Sequence, residues 1–263
     1  MAHISFSELK EWVTCPWKHK LTYIDKIDKF IGSEHTAFGT AMHTICETLV
    51  QLENTENYNA KKHFQEEFLK NLQELKELDP AITLNTELVL AMRTQGDKLT
   101  EYILPGLKKY FGNFKLISVE EKLFEPIENK DYDFKGFVDL VIQTSDKKYH
   151  VIDWKTCSWG WDQRKKTDKL INYQLTLYKH FWCKKNNINP TDALTHFALL
   201  KRTAKNNHVE IFKVTSGQKK TENALKLLNK AIYNIQKQNH VKNKLSCYGR
   251  YGTCMFYNTP HCT

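Results

Sequence analysis

The spacing of apolar and polar positions changes character near residue 114. Before that point apolar residues recur with the 3.6-residue period of helices. Ser5 and Glu8 form a capping-box pattern at the first of these helices, and Pro16 separates it from the second. The predicted helices cover residues 6–14, 16–23, 39–53, 58–78 and 85–111.

Beyond residue 114 short alternating and apolar runs predict strands, which are separated by two helices. The order strand, strand, strand, helix, strand, strand, helix predicts an α/β core with a mixed sheet. An irregular, cysteine-containing tail follows. The predicted strands are 115–124, 134–142, 149–154, 194–201 and 208–214, and the helices are 169–185 and 217–239.

Composition excludes several classes of protein. The chain has 263 residues, 41% of them hydrophobic, which is too apolar for a disordered chain. No apolar run is long enough to span a bilayer, and residues 1–20 lack the apolar segment of a signal peptide, so a cytoplasmic location is expected. The net charge of +9 favours a polyanionic partner, although many basic proteins bind no nucleic acid.

Two neighbouring predicted strands carry acidic residues in an apolar context. Asp139 interrupts a buried-type strand, and Asp153 and Lys155 point to one face of the next strand. If the strands pair as a hairpin, both carboxylates lie near one end of the sheet. Carboxylates bind hard cations such as Mg²⁺, and a nearby lysine stabilises charge developing on a phosphate. The alternative is a solvated ion pair at a strand end.

Four motifs occur in one order along the chain, and together they resemble the PD-(D/E)XK nucleases. The similarity is greatest to the RecB-like and Cas4-like branch, which includes AddB-like enzymes. It implies a restriction-endonuclease-like mixed sheet flanked by helices, with an N-terminal helical cap and a Cys-rich C-terminal tail. The motifs are Gly39–His43, Gly136–Asp139, Ile152–Thr156 and Gln174–Tyr178.

The resemblance implies a role for each matching residue. Lys155 would be the catalytic lysine, and Gln174 and Tyr178 would line the site and contact DNA or the attacking water. The upstream acidic position of the family corresponds to Glu120 or Glu121, of which Glu121 is preferred. One or two Mg²⁺ or Mn²⁺ ions would be bound by His43, Asp139, Asp153 and the backbone carbonyl of Trp154.

The seven cysteines have no export signal beside them, so metal binding or burial is favoured over disulfides. The same resemblance implies a [4Fe–4S] cluster, because some Cas4-like and AddB-like nucleases use one N-terminal and three C-terminal thiolates. A Zn²⁺ site, with His261 replacing one thiolate, is the alternative. The predicted cluster ligands are Cys15, Cys247, Cys254 and Cys262.

A basic and aromatic loop follows the strand that contains Lys155. Arg164, Lys165 and Lys166 would neutralise phosphates, and Trp159 or Trp161 would stack on an unpaired base. Lys201, Arg202 and Lys205 would extend the same groove. The alternative is a solvated loop whose tryptophans pack on the core.

These observations predict a metal-dependent DNA nuclease, specifically a single-strand-preferring exonuclease in recombination, repair or processing, of the kind that phages and CRISPR loci encode. The rival hypotheses are a non-catalytic DNA-binding module and a subunit that cuts only with a protein partner. One integrated domain is expected, with a helical region at 1–113, the nuclease core at 114–240 and the Cys-rich tail at 241–263.

Overall fold

The computed structural model describes residues 2–27, 31–249 and 252–263. From residue 114 on, three strands, a helical segment, two strands and a helix follow one another, which is the predicted order with one short helix, Gln163–Lys166, added. The helices are α1 Phe6–Thr14, α2 Pro16–His19, α3 Glu34–Gln51, α4 Ala60–Leu78, α5 Thr86–Thr100, α6 Ile103–Phe111, α7 Gln163–Lys166, α8 Lys169–Asn186 and α9 Gln218–Gln236. The strands are β1 Ala2–Ser5, β2 Phe114–Pro126, β3 Tyr132–Thr144, β4 Tyr149–Cys157, β5 Ala193–Lys201, β6 Val209–Val214, β7 Tyr248–Gly249 and β8 Gly252–Thr253.

The chain forms two compact units. The first, called the terminal unit, contains residues 1–30, 123–136 and 218–263. The second, called the sheet unit, contains residues 31–122 and 137–217.

The sheet unit is built on a mixed β-sheet. β3 and β4 form an antiparallel hairpin, β4 runs parallel to β5, and β5 and β6 form a second antiparallel hairpin. β2 pairs with β3. Helix α8 connects the parallel strands β4 and β5, because such a connection must return the chain to the starting edge of the sheet. The predicted mixed α/β fold is therefore confirmed.

Helices α3 to α6 cover one face of this sheet. Their apolar side chains form a continuous core with alternate residues of the strands, among them Ile152 and Trp154 of β4. Because neighbouring strand residues point to opposite faces, Asp153 and Lys155 project from the other face. Helix α8 packs against β4 and β5.

The terminal unit joins distant parts of the chain. β1 pairs in parallel with the first residues of β3, and α1 contacts α9. Ser5 caps α1 by accepting a hydrogen bond from the Glu8 N–H at 3.1 Å. None of the helices in the described ranges is both long and apolar enough to cross a lipid bilayer.

Several elements differ from the sequence-based expectation, and the short helix α7 and the strands β7 and β8 are among the additions. The helix predicted over 85–111 is interrupted between Thr100 and Ile103, because Pro105 cannot donate a backbone hydrogen bond and its ring obstructs the preceding turn. The helix predicted over 16–23 changes to a π-helix at Lys20–Ile24. Strand β1 is an addition, since four residues are too few for a recognisable alternation.

Two histidines are buried on neighbouring strands of the sheet unit. The rings of His150 and His196 lie 5.1 Å apart, and both contact the ring of Phe111. His150 Nε2 is 2.9 Å from Thr144 Oγ1. Burial, followed by the charge of His150, lowers the pKa of His196 to about 3. The folded protein therefore holds His196 neutral.

Replacing His196 with Phe should make the protein less sensitive to mild acid. The unfolded chain protonates this imidazole below about pH 6.5, whereas the folded chain does so only near pH 3, so folding stability falls as the pH decreases through that window. Between about pH 7.5 and about pH 5, the free energy of unfolding in urea should drop by about 2 kcal/mol less in His196→Phe than in the wild type. His35→Phe, at an exposed histidine, is the matched control. Equal losses in the wild type and His196→Phe would contradict the account.

Candidate active site

Asp139 and Asp153 lie where the β3–β4 hairpin ends its regular pairing. The paired register runs from Gln143–Tyr149 to Leu140–Ile152, and Asp139 is the next residue of β3. Its Oδ2 accepts a hydrogen bond from the Trp154 N–H at 2.7 Å. The carboxylate thus takes the place of a strand partner for β4, which fixes it beside Asp153.

Lys155 is paired with the second carboxylate. Its Nζ lies 2.6 Å from Asp153 Oδ2, and Asp153 is only 1% exposed. Burial alone would lower the pKa of Lys155, but the charges of Asp153 and Asp139 outweigh it and raise that pKa. Lys155 is therefore a cation at neutral pH.

The two carboxylates repel each other. Burial, and then the charge of Asp153, raises the pKa of Asp139 well above its ordinary value. Lys155 and the Trp154 N–H oppose this shift without cancelling it. A buried pair of this kind is relieved by a cation between the carboxylates, and carboxylate oxygens are the donors that Mg²⁺ and Mn²⁺ prefer.

His43 approaches the pair from helix α3. Its Nδ1 lies 3.6 Å from Asp139 Oδ2. Burial and the charge of Lys155 lower the pKa of His43, so the imidazole is neutral and one nitrogen has a free lone pair. Gly39, one turn earlier, faces β4, where a Cβ would lie in ordinary van der Waals contact with Thr156 Oγ1 at 3.5 Å.

Two further carboxylates extend the acidic lining. Ligand atoms of His43, Glu47 and Glu120 all lie within 4.8 Å of one another. Burial, the charge of Glu120 and a hydrogen bond to it raise the pKa of Glu47 to about 7. Sequence reasoning missed Glu47, although its position four residues after His43 on one helix face was a usable signal.

The preference for Glu121 over Glu120 was wrong. The Glu121 carboxylate accepts hydrogen bonds from Trp182 Nε1 and Lys185 Nζ, both at 2.8 Å, and these hold it to helix α8. The charge of Glu120, in contrast, reaches Asp139. Glu120 has a φ of +43°, so the strand is locally irregular at the point where the two glutamates diverge.

Helix α8 brings Gln174 and Tyr178 to the same site. Gln174 Nε2 donates to Tyr178 Oη at 3.3 Å. Burial, followed by the charge of Asp153, raises the pKa of Tyr178 to about 12, so its hydroxyl stays protonated. The structure thus brings His43, Asp139, Asp153, Lys155 and this pair together.

The two tryptophans of the loop after β4 have different environments. Trp159 is 76% exposed, whereas the Trp161 ring packs on Phe197 at 5.0 Å and is covered by Lys165 Nζ at 4.5 Å. Only Trp159 presents a free aromatic face. The expectation that Trp161 stacks on a base is not supported by this packing.

Several residues of the predicted basic groove contact other parts of the protein. Lys166 forms an ion pair with Glu210, and Lys201 is 3.1 Å from the same carboxylate. Arg202 donates to Gln95 Oε1 at 2.6 Å. Arg164 is exposed on the short helix α7.

The four predicted cluster cysteines belong to the terminal unit. Burial, and then the charges of Cys254, Cys262 and Cys15, raise the pKa of Cys247. Cys15 Sγ accepts hydrogen bonds from the backbone of Lys18 and Asn243. The tail is tied to this region, because Trp17 Nε1 donates to the His261 carbonyl at 2.9 Å.

Comparison with known proteins identifies the family. The profile described as PD-(D/E)XK nuclease superfamily matches residues 3–256, and the chain belongs to that superfamily. The fold is similar to that of a protein from Eubacterium rectale named "Putative exonuclease", with 12% identity, a TM-score of 0.58, and 97% of this chain and 86% of that chain covered. A second structure, SSO0001, has 16% identity and a TM-score of 0.35 over 74% of this chain and 84% of that one. No curated protein matched the sequence.

The acidic site should make the protein more stable when Mn²⁺ is added. A divalent cation relieves the repulsion between Asp139 and Asp153, and a ligand that binds only the folded state raises the melting temperature. We expect a shift of several degrees in the wild type, and little or none in Asp139→Asn and Asp153→Asn. Asp192→Asn, at an exposed carboxylate, is the control. A shift of the same size in all four proteins would contradict a cation site here.

Proposed function

We propose that this protein is a divalent-metal-dependent DNA nuclease that hydrolyses phosphodiester bonds. The observation that carries the proposal is the meeting of a buried carboxylate pair, Asp139 and Asp153, with the cationic Lys155 at one end of two paired strands. Membership of a nuclease superfamily supports this chemistry. A purely structural ion pair would not need a second buried carboxylate.

His43, Asp139, Asp153 and the Trp154 carbonyl would bind the cation. The donor set fits, because it combines two carboxylates with a neutral imidazole nitrogen. When bound, the cation would polarise the scissile phosphate and lower the pKa of a water molecule. Glu47 and Glu120 would hold a second cation or its water ligands beside His43.

Lys155 supplies positive charge during hydrolysis. Its raised pKa means that it does not serve as a base at neutral pH. The ammonium group, oriented by Asp153, would stabilise the negative charge that develops on the phosphate as water attacks and the P–O bond breaks. Removing the Lys155 ammonium group would remove an interaction that is made mainly in the transition state, and would therefore slow the chemical step.

Tyr178 and Gln174 orient groups on the α8 side of the site. The Tyr178 hydroxyl remains protonated, so it is a hydrogen-bond donor toward a phosphate oxygen or the attacking water. Gln174, by donating to the Tyr178 oxygen, holds the phenol in one orientation. Both residues would act by positioning the substrate.

The loop after β4 favours a single-stranded substrate. Trp159 lies four residues after Lys155 on the chain and exposes most of its ring. A base can stack on such a ring only when it is not enclosed in a duplex. Arg164 would contact a backbone phosphate nearby, and Lys165 and Lys166 would add positive charge despite their internal contacts.

The finer assignment is an exonuclease of the Cas4/RecB-like branch that works in DNA recombination, repair or processing. It is supported by the ordered motifs and by similarity in fold to the Eubacterium rectale protein. A protein partner in such a complex is part of the proposal.

Degradation of end-labelled DNA tests the proposed reaction. The wild type should cut single-stranded DNA faster than duplex DNA in Mg²⁺ or Mn²⁺, and EDTA should stop it. Lys155→Ala should lower kcat by about 10²-fold or more with a smaller change in KM, because its charge acts in the transition state.

Lys148→Ala is the matched control, since this lysine forms an ion pair on the surface with Asp192. Its rate should equal that of the wild type. Equal cutting by Lys155→Ala, or no cutting by folded protein supplied with metal, would contradict the assigned mechanism. A ladder of internal fragments would replace the exonuclease mode with an endonuclease one.

We further propose that Cys15, Cys247, Cys254 and Cys262 bind a [4Fe–4S] cluster, for which four thiolates are the usual ligands. The influence of Cys15, Cys254 and Cys262 on the pKa of Cys247 supports this set. A tetrahedral Zn²⁺ site on the same residues is the alternative.

Metal analysis of anaerobically purified protein distinguishes the two sites. We expect about four iron atoms and about four acid-labile sulfides per chain. Cys254→Ser should lose this content, while Cys183→Ser, at a buried cysteine of the sheet unit, should keep it. One zinc ion without sulfide would establish the alternative, and the absence of both metals would remove the cluster from the account.

A further inference from the structure

Most of the net positive charge of the protein belongs to one segment. Residues 218–263 contain seven lysines, one arginine and one glutamate, which gives a net charge of +7 out of a total of +9. The other 217 residues are nearly balanced. A charge asymmetry of this size creates a local positive potential that attracts polyanions.

Helix α9 arranges this charge on one face. Ala224, Leu228, Ala231 and Ile232 are buried, and the helix contacts α1 of the same unit. The apolar face of α9 is therefore already covered within the terminal unit. The opposite face is exposed, and its members recur every three or four residues: Lys219, Glu222, Lys226, Lys230 and Tyr233, with Lys237 directly after the last helical residue.

Three lysines of this face, Lys226, Lys230 and Lys237, form no ion pair with any residue that the structure describes. The one glutamate of the helix, Glu222, lies beside Lys219, with 3.6 Å between Nζ and Oε2. The lysines near β6 differ, because Lys166 and Lys201 both form ion pairs with Glu210.

The dimensions of the face fit the backbone of a nucleic acid. Lys219 and Lys237 are 18 residues apart, which is about 27 Å along the helix axis. DNA presents a phosphate every 3.4 Å along each strand, so this face runs beside several phosphates. Tyr233, 53% exposed between Lys230 and Lys237, adds a ring for contact with sugar or base.

We propose that the exposed face of α9, defined by Lys226, Lys230, Tyr233 and Lys237, binds the phosphate backbone of DNA. It is a binding surface of the terminal unit, and none of its residues takes part in the proposed catalytic site. An anionic membrane fits less well, because a membrane-surface helix needs apolar side chains on the face that it buries, and here that face is already packed on protein.

The surface acts through charge and carries no sequence specificity. Each lysine that neutralises a phosphate releases condensed counterions, so its contribution appears in the salt dependence of binding. The three unpaired lysines should together account for about 2 units of the slope of log K against log salt for single strands and about 2.7 for duplexes.

The test measures binding without cleavage. The triple variant Lys226→Gln/Lys230→Gln/Lys237→Gln is made in the full chain, and fluorescence anisotropy follows labelled single-stranded and duplex DNA in EDTA over a series of salt concentrations. We expect at least about a tenfold loss of affinity at low salt and the loss of slope given above. Because no divalent ion is present, the result is independent of whether the protein cuts DNA.

Lys62→Gln/Lys70→Gln/Lys109→Gln makes the same change in net charge at exposed lysines of α4 and α6 and should keep the wild-type slope. The variant Lys226→Arg/Lys230→Arg/Lys237→Arg, which retains the charge, should also keep it. A wild-type slope in the glutamine variant of α9, or an equal loss in the α4 and α6 control, would overturn the proposal. A wild-type slope in the glutamine variant would overturn the proposal even if α9 bound acidic phospholipid vesicles.

Discussion

Repulsion between two buried carboxylates is the constraint on which the site depends. Asp139 and Asp153 occupy neighbouring strands of an apolar sheet, where an uncompensated charge is costly. Lys155 forms an ion pair with Asp153, and the Trp154 N–H donates a hydrogen bond to Asp139. The compensation is incomplete, because the pKa of Asp139 remains raised. The two carboxylates therefore form a preorganised site for a cation. Without the cation their repulsion lowers the folding stability of this part of the sheet, a cost that is typical of functional sites.

The surrounding fold holds this pair in place. Trp154 is buried under α3 to α6, so β4 cannot rotate to expose its polar face. His43 enters from the same helices, and Tyr178 approaches from α8 on the opposite side of the sheet. Each of these side chains is therefore carried by a rigid helix or strand, which fixes distances better than a loop would.

Local sequence patterns predicted much of this architecture. The strands and the acidic motif were recognisable because alternation and burial are properties of neighbouring residues. The break before Pro105 was missed because the apolar period continues on both sides of it. The ion pair between Lys166 and Glu210 was missed for another reason: it joins residues far apart in sequence. The same limit explains why Trp159 and Trp161, two residues apart, have opposite environments.

The most direct test of the central claim is anomalous diffraction from crystals of the protein grown with Mn²⁺. The account predicts an anomalous peak between the carboxylates of Asp139 and Asp153, within coordination distance of His43, and no such peak in Asp139→Asn crystals. A second peak at Glu47 and Glu120 is compatible with the account. A fully occupied structure with Mn²⁺ bound elsewhere, and with Asp139 and Asp153 turned away from each other, would contradict it.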